Sequence, residues 1–232
     1  ALAAVRARAC AGAPGPAPAS GSRGVVKLAP SWEGRDVWLF DSEAGLAGLL
    51  GKVFEGTSHE CCLVQDFVEG VVVEMRLHVV NGAIANVSFT RYKAKSDSPT
   101  QSSFGGRGID GAWVAGQYLE GESRSAIAEA CFGGRPADVD AAEECCRRLV
   151  HEWWPFLLAD CAEPPAYVRF DFLVVAAGPA ARPEVWTGEI SELGSQPCGW
   201  EEGRKVVLER LLDMAEELSR SAAPVGEAAG GA

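Results

Sequence analysis

Two short segments near the end of the chain place charged residues between apolar ones. In residues 168–172 (VRFDF), Arg169 and Asp171 are two positions apart, and Glu189 and Ser191 have the same spacing further on. Side chains alternate along a strand, so each pair shares one face. If the segments form an antiparallel hairpin, the two carboxylates converge, and Mg²⁺ prefers such oxygens together with substrate phosphates. The alternative is a row of solvated side chains on the open face of a sheet.

The elements that must position these residues follow from periodicity and turn signals. Alternating or β-branched runs predict strands over 25–28, 37–40, 61–68, 71–80, 83–92, 167–175 and 184–191, with a hairpin turn at Asn81-Gly82. Helices are predicted from Ser42 to Gly51, from Pro136 to about Trp154 and from Glu201 to about Leu218. Residues 93–124 are polar and glycine-rich, which predicts a loop that closes over substrate. These elements together predict an α+β fold with an antiparallel sheet.

Other catalytic motifs are weak in this chain. Residues 106–111 (GRGIDG) match a dinucleotide-binding pattern, but the polar residues before them are not a buried strand, which favours a surface loop. The chain has 3 histidines and no G-x-S-x-G elbow. Its 8 cysteines include no C-x-x-C pair, so buried free thiols in a reducing compartment are expected.

Composition and charge narrow the partners and the compartment. A formal net charge of −11 argues against a nucleic-acid backbone as main partner, and no apolar run is long enough to cross a membrane. Residues 1–24 hold three arginines, no acid and many alanines and prolines, typical of a disordered linker; an organelle transit segment is the alternative. Residues 219–232 are expected to be a disordered tail, and the chain is expected to be cytoplasmic.

The order of motifs over residues 24–200 resembles the ATP-grasp family. Lys27 in VVKL resembles the family lysine that contacts the α- and β-phosphates, and the loop 31–36 resembles the small glycine-containing loop over the triphosphate. The segment QDFVEG is similar to the hinge whose backbone pairs with adenine; it contains Gln65, Asp66, Phe67 and Val68. Glu74-x-Arg76 resembles the strand leading out of that hinge. The Asp171, Glu189 and Ser191 hairpin resembles the family's metal-binding hairpin.

The resemblance implies a fold and an activity. The fold is an ATP-grasp-like domain over residues 25–218, with a small lobe (25–68) and a large lobe (69–218) around a nucleotide cleft. The activity is that of a ligase that uses ATP and Mg²⁺ to join a small-molecule or peptide carboxylate to an amine, or to a thiol, through an acyl phosphate. Lys27 would neutralise phosphate oxygens, Asp171 and Glu189 would hold Mg²⁺, and Arg169 and Arg76 would stabilise the acyl phosphate.

Two departures from the family pattern leave alternatives open. Ser191 stands where the family has asparagine, and the neighbouring Glu192 points to the opposite face unless a bulge turns it. The family's N-terminal domain is absent from this sequence, so a missing domain of the same polypeptide is an expected partner. A nucleotide-binding regulatory module without turnover, or a phosphotransferase on the same cradle, fits the same motifs. The sequence identifies neither the carboxylate nor the acceptor.

Overall fold

The chain folds into two antiparallel sheets and a set of helices. The computed structural model describes residues 23–28, 37–55, 61–93, 117–120, 122–159, 161, 164–176, 178, 182–191, 197 and 200–221. The elements, in chain order, are β1 (Gly24–Leu28), β2 (Val37–Phe40), α1 (Glu43–Phe54), β3 (Cys62–Asp66), β4 (Val71–Val80), β5 (Ala83–Lys93), β6 (Gln117–Glu120), α2 (Arg124–Phe132), α3 (Pro136–Ala159), β7 (Tyr167–Val175), β8 (Glu184–Ser191) and α4 (Gly203–Ser221). This confirms the predicted α+β class. None of the described helices has the length and apolar character needed to cross a membrane.

The smaller sheet has the strand order β2-β1-β3 and is covered on one face by α1. Alternate apolar side chains of β1, with Phe40 of β2, pack against Leu49 and Val53 of the helix. The helix begins as predicted, because the hydroxyl of its N-cap residue Ser42 accepts a hydrogen bond from the Gly45 backbone N–H. The opposite face of β1 and β3 carries Lys27 and Gln65, which point away from α1.

The larger sheet has the strand order β6-β5-β4-β7-β8, and β4 lies at its centre. One face is apolar and packs against α2 and α3; it includes Val73, Met75, Leu77, Val79, Val168, Phe170, Phe172 and Val174. The predicted turn between β4 and β5 is present, and both of its residues have positive φ, 51° at Asn81 and 76° at Gly82. Asparagine and glycine tolerate this conformation, which matches the twist of a two-residue hairpin.

Two predicted helix ends lie further along the chain than expected. Helix α1 continues past Gly51 to Phe54, and burial of Val53 offsets the roughly 1 kcal/mol that a glycine costs within a helix. Helix α3 runs through Pro155 to Ala159, and Leu157 beyond the proline still packs against the core of the larger sheet. Tertiary packing therefore outweighs the local helix-ending signals in both places.

Two elements were not predicted. Residues 117–120 lie within the predicted loop of residues 93–124, yet they form β6, which pairs with β5 at the edge of the sheet. Helix α2 has only three buried residues, Ile127, Ala128 and Phe132, so its apolar period is too short to be read from the sequence. The remaining parts of the predicted closing loop, residues 94–116 and 121, lie outside the described residues, as do residues 1–22 of the predicted linker and 222–232 of the predicted tail. The prediction of disorder is wrong at two borders, because Gly24 of the linker begins β1 and residues 219–221 of the tail continue α4.

Candidate functional site

The second face of the larger sheet is polar and almost entirely buried. Alternation along β4, β5 and β7 directs Glu74, Arg76, His78, Ser88, Thr90, Arg169 and Asp171 to this face, and each of these residues is at most 8% exposed. The register places Arg76 opposite Asp171, and Asp171 opposite Glu189 on β8. Arg169 lies opposite Ser191. The structure thus brings the residues singled out in the hairpin onto one face.

The buried charges of this face are paired with one another. Arg169 donates two hydrogen bonds to Asp171, from Nε to Oδ1 and from Nη2 to Oδ2, both at 2.7 Å. Arg76 donates from Nε to Oε1 of Glu74 at 2.8 Å, and the same atom lies 3.9 Å from Oδ2 of Asp171. The interpretation of these side chains as solvated is therefore wrong for Asp171, which is 2% exposed. A charged side chain that is buried this deeply needs an oppositely charged or hydrogen-bonding partner to offset its lost hydration.

The ionisation of Asp171 is finely balanced. Burial, together with the nearby Glu74 carboxylate, raises the pKa of Asp171 to about 6 although Arg169 and Arg76 oppose the shift. Burial lowers the pKa of the Arg169 guanidinium, but the ion pair with Asp171 outweighs it and leaves that pKa above its ordinary value. A further positive charge next to Asp171 would stabilise its carboxylate form.

Glu189 and Ser191 lie at the accessible border of the face, on the edge strand β8. The Ser191 hydroxyl donates a hydrogen bond to Oε1 of Glu189 at 2.8 Å, and Glu189 is exposed. The carboxylates of Asp171 and Glu189 therefore differ in environment, since one is buried in an ion pair and the other faces outward. Glu192, the alternative third ligand, lies outside the described residues.

A bulge in β8 joins the two sheets at this border. The register shifts between Asp171 and Phe172, so that Gly188 is the extra residue of β8. A Cβ atom at Gly188 would lie 3.0 Å from the Asp171 carbonyl oxygen, which makes glycine the residue that fits. The carbonyl of Gly188 accepts a hydrogen bond from Lys27 Nζ at 3.0 Å and lies 3.5 Å from Gln65 Nε2.

The ammonium group of Lys27, on the smaller sheet, lies close to acidic residues of the larger sheet. Burial lowers the pKa of its ammonium group, and the carboxylates of Glu189, Glu74 and Asp171 partly offset that effect. The residue predicted to touch phosphates thus lies within electrostatic range of the residues predicted to bind the metal. The loop 31–36, predicted to cover the triphosphate, lies outside the described residues.

The connector, residues 67–70, joins β3 of the smaller sheet to β4 of the larger sheet. Strand β3 ends at Asp66 and β4 begins at Val71, and the Phe67 N–H donates to the Arg23 carbonyl at 3.1 Å. Backbone groups alternate in direction along an extended chain, so those of Asp66 and Val68 point away from β1. Strand β3 is an edge strand of the smaller sheet, which leaves its outer side open within the described part of the chain.

His78 is the main residue of this face that the sequence did not single out for function. Its Nδ1 lies 2.9 Å from the Tyr167 hydroxyl and its Nε2 lies 3.0 Å from Oγ of Ser88, and the Trp200 ring packs 5.4 Å away. Burial, and the two nearby arginines, lower the pKa of His78 to about 3, so the ring is neutral near pH 7. The sequence signal for its position was the alternation along β4, which places His78 on the same face as Glu74 and Arg76.

The residues of this face that would hold a magnesium ion are Asp171 and, at the border, Glu189 and Ser191. Among the residues that the structure describes, no group of three or more Asp, Glu, His or Cys side chains is placed to hold a metal. Two carboxylates and a hydroxyl remain, Asp171, Glu189 and Ser191, and Mg²⁺ commonly binds one or two carboxylates while keeping substrate phosphates and waters. A carboxylate that accepts two bonds from arginine retains free lone pairs for a metal.

Comparison with known proteins does not assign the chain to a family. In sequence searches no family model and no curated protein matches it.

Proposed function

We propose that this chain is an ATP- and Mg²⁺-dependent ligase module that joins a carboxylate to an amine or a thiol through an acyl phosphate. The observation that carries the proposal is the position of Lys27. It reaches from the smaller sheet to Gly188, beside two carboxylates, Asp171 and Glu189, that lie opposite each other on paired strands. A lysine ammonium group on one sheet lies near two carboxylates on the other, and carboxylates of this kind bind Mg²⁺. Such an arrangement is suited to binding a nucleoside triphosphate.

In this proposal the nucleotide lies between the two sheets. The outward-facing backbone of Asp66 and Val68 hydrogen-bonds to the adenine edge, with Gln65 of β3 and Phe67 of the connector next to these residues in the chain. Lys27 leaves the Gly188 carbonyl to bind phosphate oxygens. The exchange costs little, because a partly desolvated ammonium group gives up a neutral acceptor for an anionic one.

Asp171 and the two border residues would hold the metal, and the arginines stabilise negative charge that develops during the reaction. Asp171, Glu189 and Ser191 are the ligands of Mg²⁺, which supplies neutralisation of phosphate charge when bound. Arg169 and Arg76 stabilise the acyl phosphate, because a fixed positive charge lowers the energy of negative charge that develops beside it. Glu74 fixes Arg76 in place through the 2.8 Å hydrogen bond.

One observation favours a second function, a nucleotide-binding regulatory module without turnover. Both arginines are already engaged by acidic partners on the face, and Ser191 offers a weaker ligand than an amide oxygen. A module of this kind would bind Mg·ATP and release no phosphate. The two functions share the binding site and differ only in turnover.

Thermal unfolding in the presence of nucleotide tests the shared binding site. Mg·ATP at millimolar concentration should raise the Tm more than ATP with EDTA does, because ligand that binds only the folded state stabilises it. Asp171→Asn and Glu189→Gln should remove the magnesium-dependent part. Glu209→Gln, at an exposed residue paired with Lys205 on α4, is the matched control and should keep it. An unchanged Tm in the unmodified chain would refute both functions.

Phosphate release then separates the ligase from the regulatory module. The unmodified chain is incubated with Mg·ATP and a panel of amino acids and small acids, each with and without an amine or thiol acceptor. Release that requires both a carboxylate and an acceptor supports the ligase. Binding of Mg·ATP with no release across the panel would favour the regulatory module.

A further inference from the structure

Arg23 is held against the connector by three contacts that the proposed function does not use. Its carbonyl accepts the Phe67 N–H at 3.1 Å, its guanidinium lies 4.7 Å from the centre of the Phe67 ring, and its Nη1 donates to Oε1 of Glu69 at 2.5 Å. All three contacts join the start of β1 to residues 67–69. Arg23 therefore contacts the residues on both sides of Val68, Phe67 and Glu69.

Each contact is modest when taken alone. The side chains of Arg23 and Glu69 are 52% and 68% exposed, and ion pairs between exposed groups contribute little to stability. A cation over an aromatic ring adds a comparably small amount at an exposed site. Their combined effect is on orientation, since a backbone hydrogen bond and a cation–π contact at Phe67, together with an ion pair at Glu69, leave the peptide between these two positions little freedom.

We infer that Arg23 is a positioning residue that presets the backbone of Asp66 and Val68 for the edge of a purine base. The inference rests on the proposed nucleotide function and deepens it. Arg23 itself does not touch the base, because it holds the connector from the β1 side, whereas the backbone groups of Asp66 and Val68 point to the other side. Its effect must therefore appear in binding of the base and not in binding of the phosphates.

The experiment compares two ligands that share phosphates and differ in the base. Dissociation constants for Mg·ATP and for magnesium tripolyphosphate are measured by calorimetry on the unmodified chain, on Arg23→Ala and on Arg220→Ala. The last is the matched control, because Arg220 is also exposed and lies 3.9 Å from Glu216 on α4. Each variant is first checked for an unchanged cooperative unfolding transition.

The expected result is selective. Arg23→Ala should raise the Kd for Mg·ATP by about three- to tenfold, in keeping with the loss of one exposed ion pair and one cation–π contact. It should leave the Kd for tripolyphosphate unchanged, and Arg220→Ala should change neither. Arg23→Lys keeps the positive charge but not the planar guanidinium group, and should give an intermediate Kd for Mg·ATP.

The other outcomes separate failure of this inference from failure of the proposed function. Equal weakening of both ligands by Arg23→Ala, or no weakening of either, overturns the positioning role while nucleotide binding stands. Binding of tripolyphosphate but not of ATP by the unmodified chain also overturns it and leaves a phosphate site. If the unmodified chain binds neither ligand, the proposed function fails as well.

Discussion

The two faces of the five-stranded sheet are built by the same strands and buried to a similar degree, yet they differ completely in chemistry. On β4, Met75 and Leu77 are fully buried against helices, while the residues beside them, Glu74 and Arg76, are 5% exposed and charged. The apolar face gains free energy from burial, about 25 cal/mol per Å² of apolar surface. The polar face must offset the desolvation of its charges with ion pairs, and replacement of such pairs by apolar residues is often neutral or stabilising.

This difference indicates which face is kept for folding and which for function. A sheet needs only one apolar face to pack against α2 and α3. On the other face three acids, Glu74, Asp171 and Glu189, lie within electrostatic range of Lys27. The costly face is therefore the one on which ligand chemistry is expected.

The apolar face should be the more sensitive one to truncation. Phe172 has no exposed surface and stacks on Phe170 with ring centres 6.2 Å apart. Phe172→Ala should lower the free energy of unfolding by about 3–5 kcal/mol, through lost burial and a residual cavity. Urea unfolding measures the loss. A change below about 1 kcal/mol would show that this face is not the packed core of the domain.

Removal of one partner from the polar face should come next. Arg169→Met leaves the Asp171 carboxylate without its bidentate partner, and Arg76 at 3.9 Å compensates only in part. The expected loss is about 2–4 kcal/mol at pH 8, and it should shrink toward pH 5.5, where Asp171 protonates. Lys205→Met, at an exposed ion pair on α4, is the control for charge and should change stability by less than about 0.5 kcal/mol. A loss independent of pH would contradict the stranded-charge explanation.

The buried histidine gives the polar face a pH dependence that the apolar face lacks. The pKa of His78 is lowered in the folded chain to about 3, so below about pH 6.5 the unfolded chain binds a proton that the folded chain does not. Stability should therefore fall with decreasing pH, by up to about 1.4 kcal/mol per pH unit from this group. The His78→Asn variant lacks this pH-dependent component. The difference in free energy of unfolding between the unmodified chain and the variant should therefore be smaller at pH 5 than at pH 7. His151→Asn, at an exposed residue of α3, should follow the unmodified chain; a constant gap for His78→Asn would refute the assignment.

The smallest effect is expected for a polar contact on the apolar side. Trp153 of α3 donates from Nε1 to Oγ1 of Thr187 at 3.1 Å, which links the helix to β8. Thr187→Val keeps the shape and removes the acceptor, so the loss should be about 0.5–1.5 kcal/mol. Thermal unfolding measures it, with Thr90→Val on the polar face as comparison. Equal losses at both positions would mean that the two faces tolerate polar loss alike.

Four strands of the larger sheet, β4, β5, β7 and β8, were readable from sequence because their signal is local. The bounds of β4, β7 and β8 match the predicted ones, since alternation of period two and the Asn81-Gly82 turn need no knowledge of distant residues. The same alternation placed Arg169 with Asp171 on one face. Burial of that face was not readable, because it depends on which element packs over it.

The contacts that assemble the candidate site could not be predicted from the sequence, and the reason is physical. The bulge at Gly188 and its hydrogen bond from Lys27 join residues 161 positions apart, and no local pattern encodes such a contact. Composition predicts that Arg23 belongs to a linker, but in the structure it contacts Phe67 and Glu69. His78 was visible in the alternation, but its partners Tyr167 and Ser88 come from two other strands.

The central position of β4 has a kinetic consequence for the chain. Strand β4 pairs with β5 through a two-residue turn, whereas its other partner, β7, begins 87 positions after β4 ends, at Tyr167 against Val80. Closing a long loop costs more chain entropy than closing a hairpin, so the β4–β5 pair can form within microseconds and wait for β7. We expect the transition state for folding to contain the hairpin and the rate to be set by the arrival of β7. The ion pairs of the polar face, which need β7, then form on the late side of the barrier and act mainly to slow unfolding.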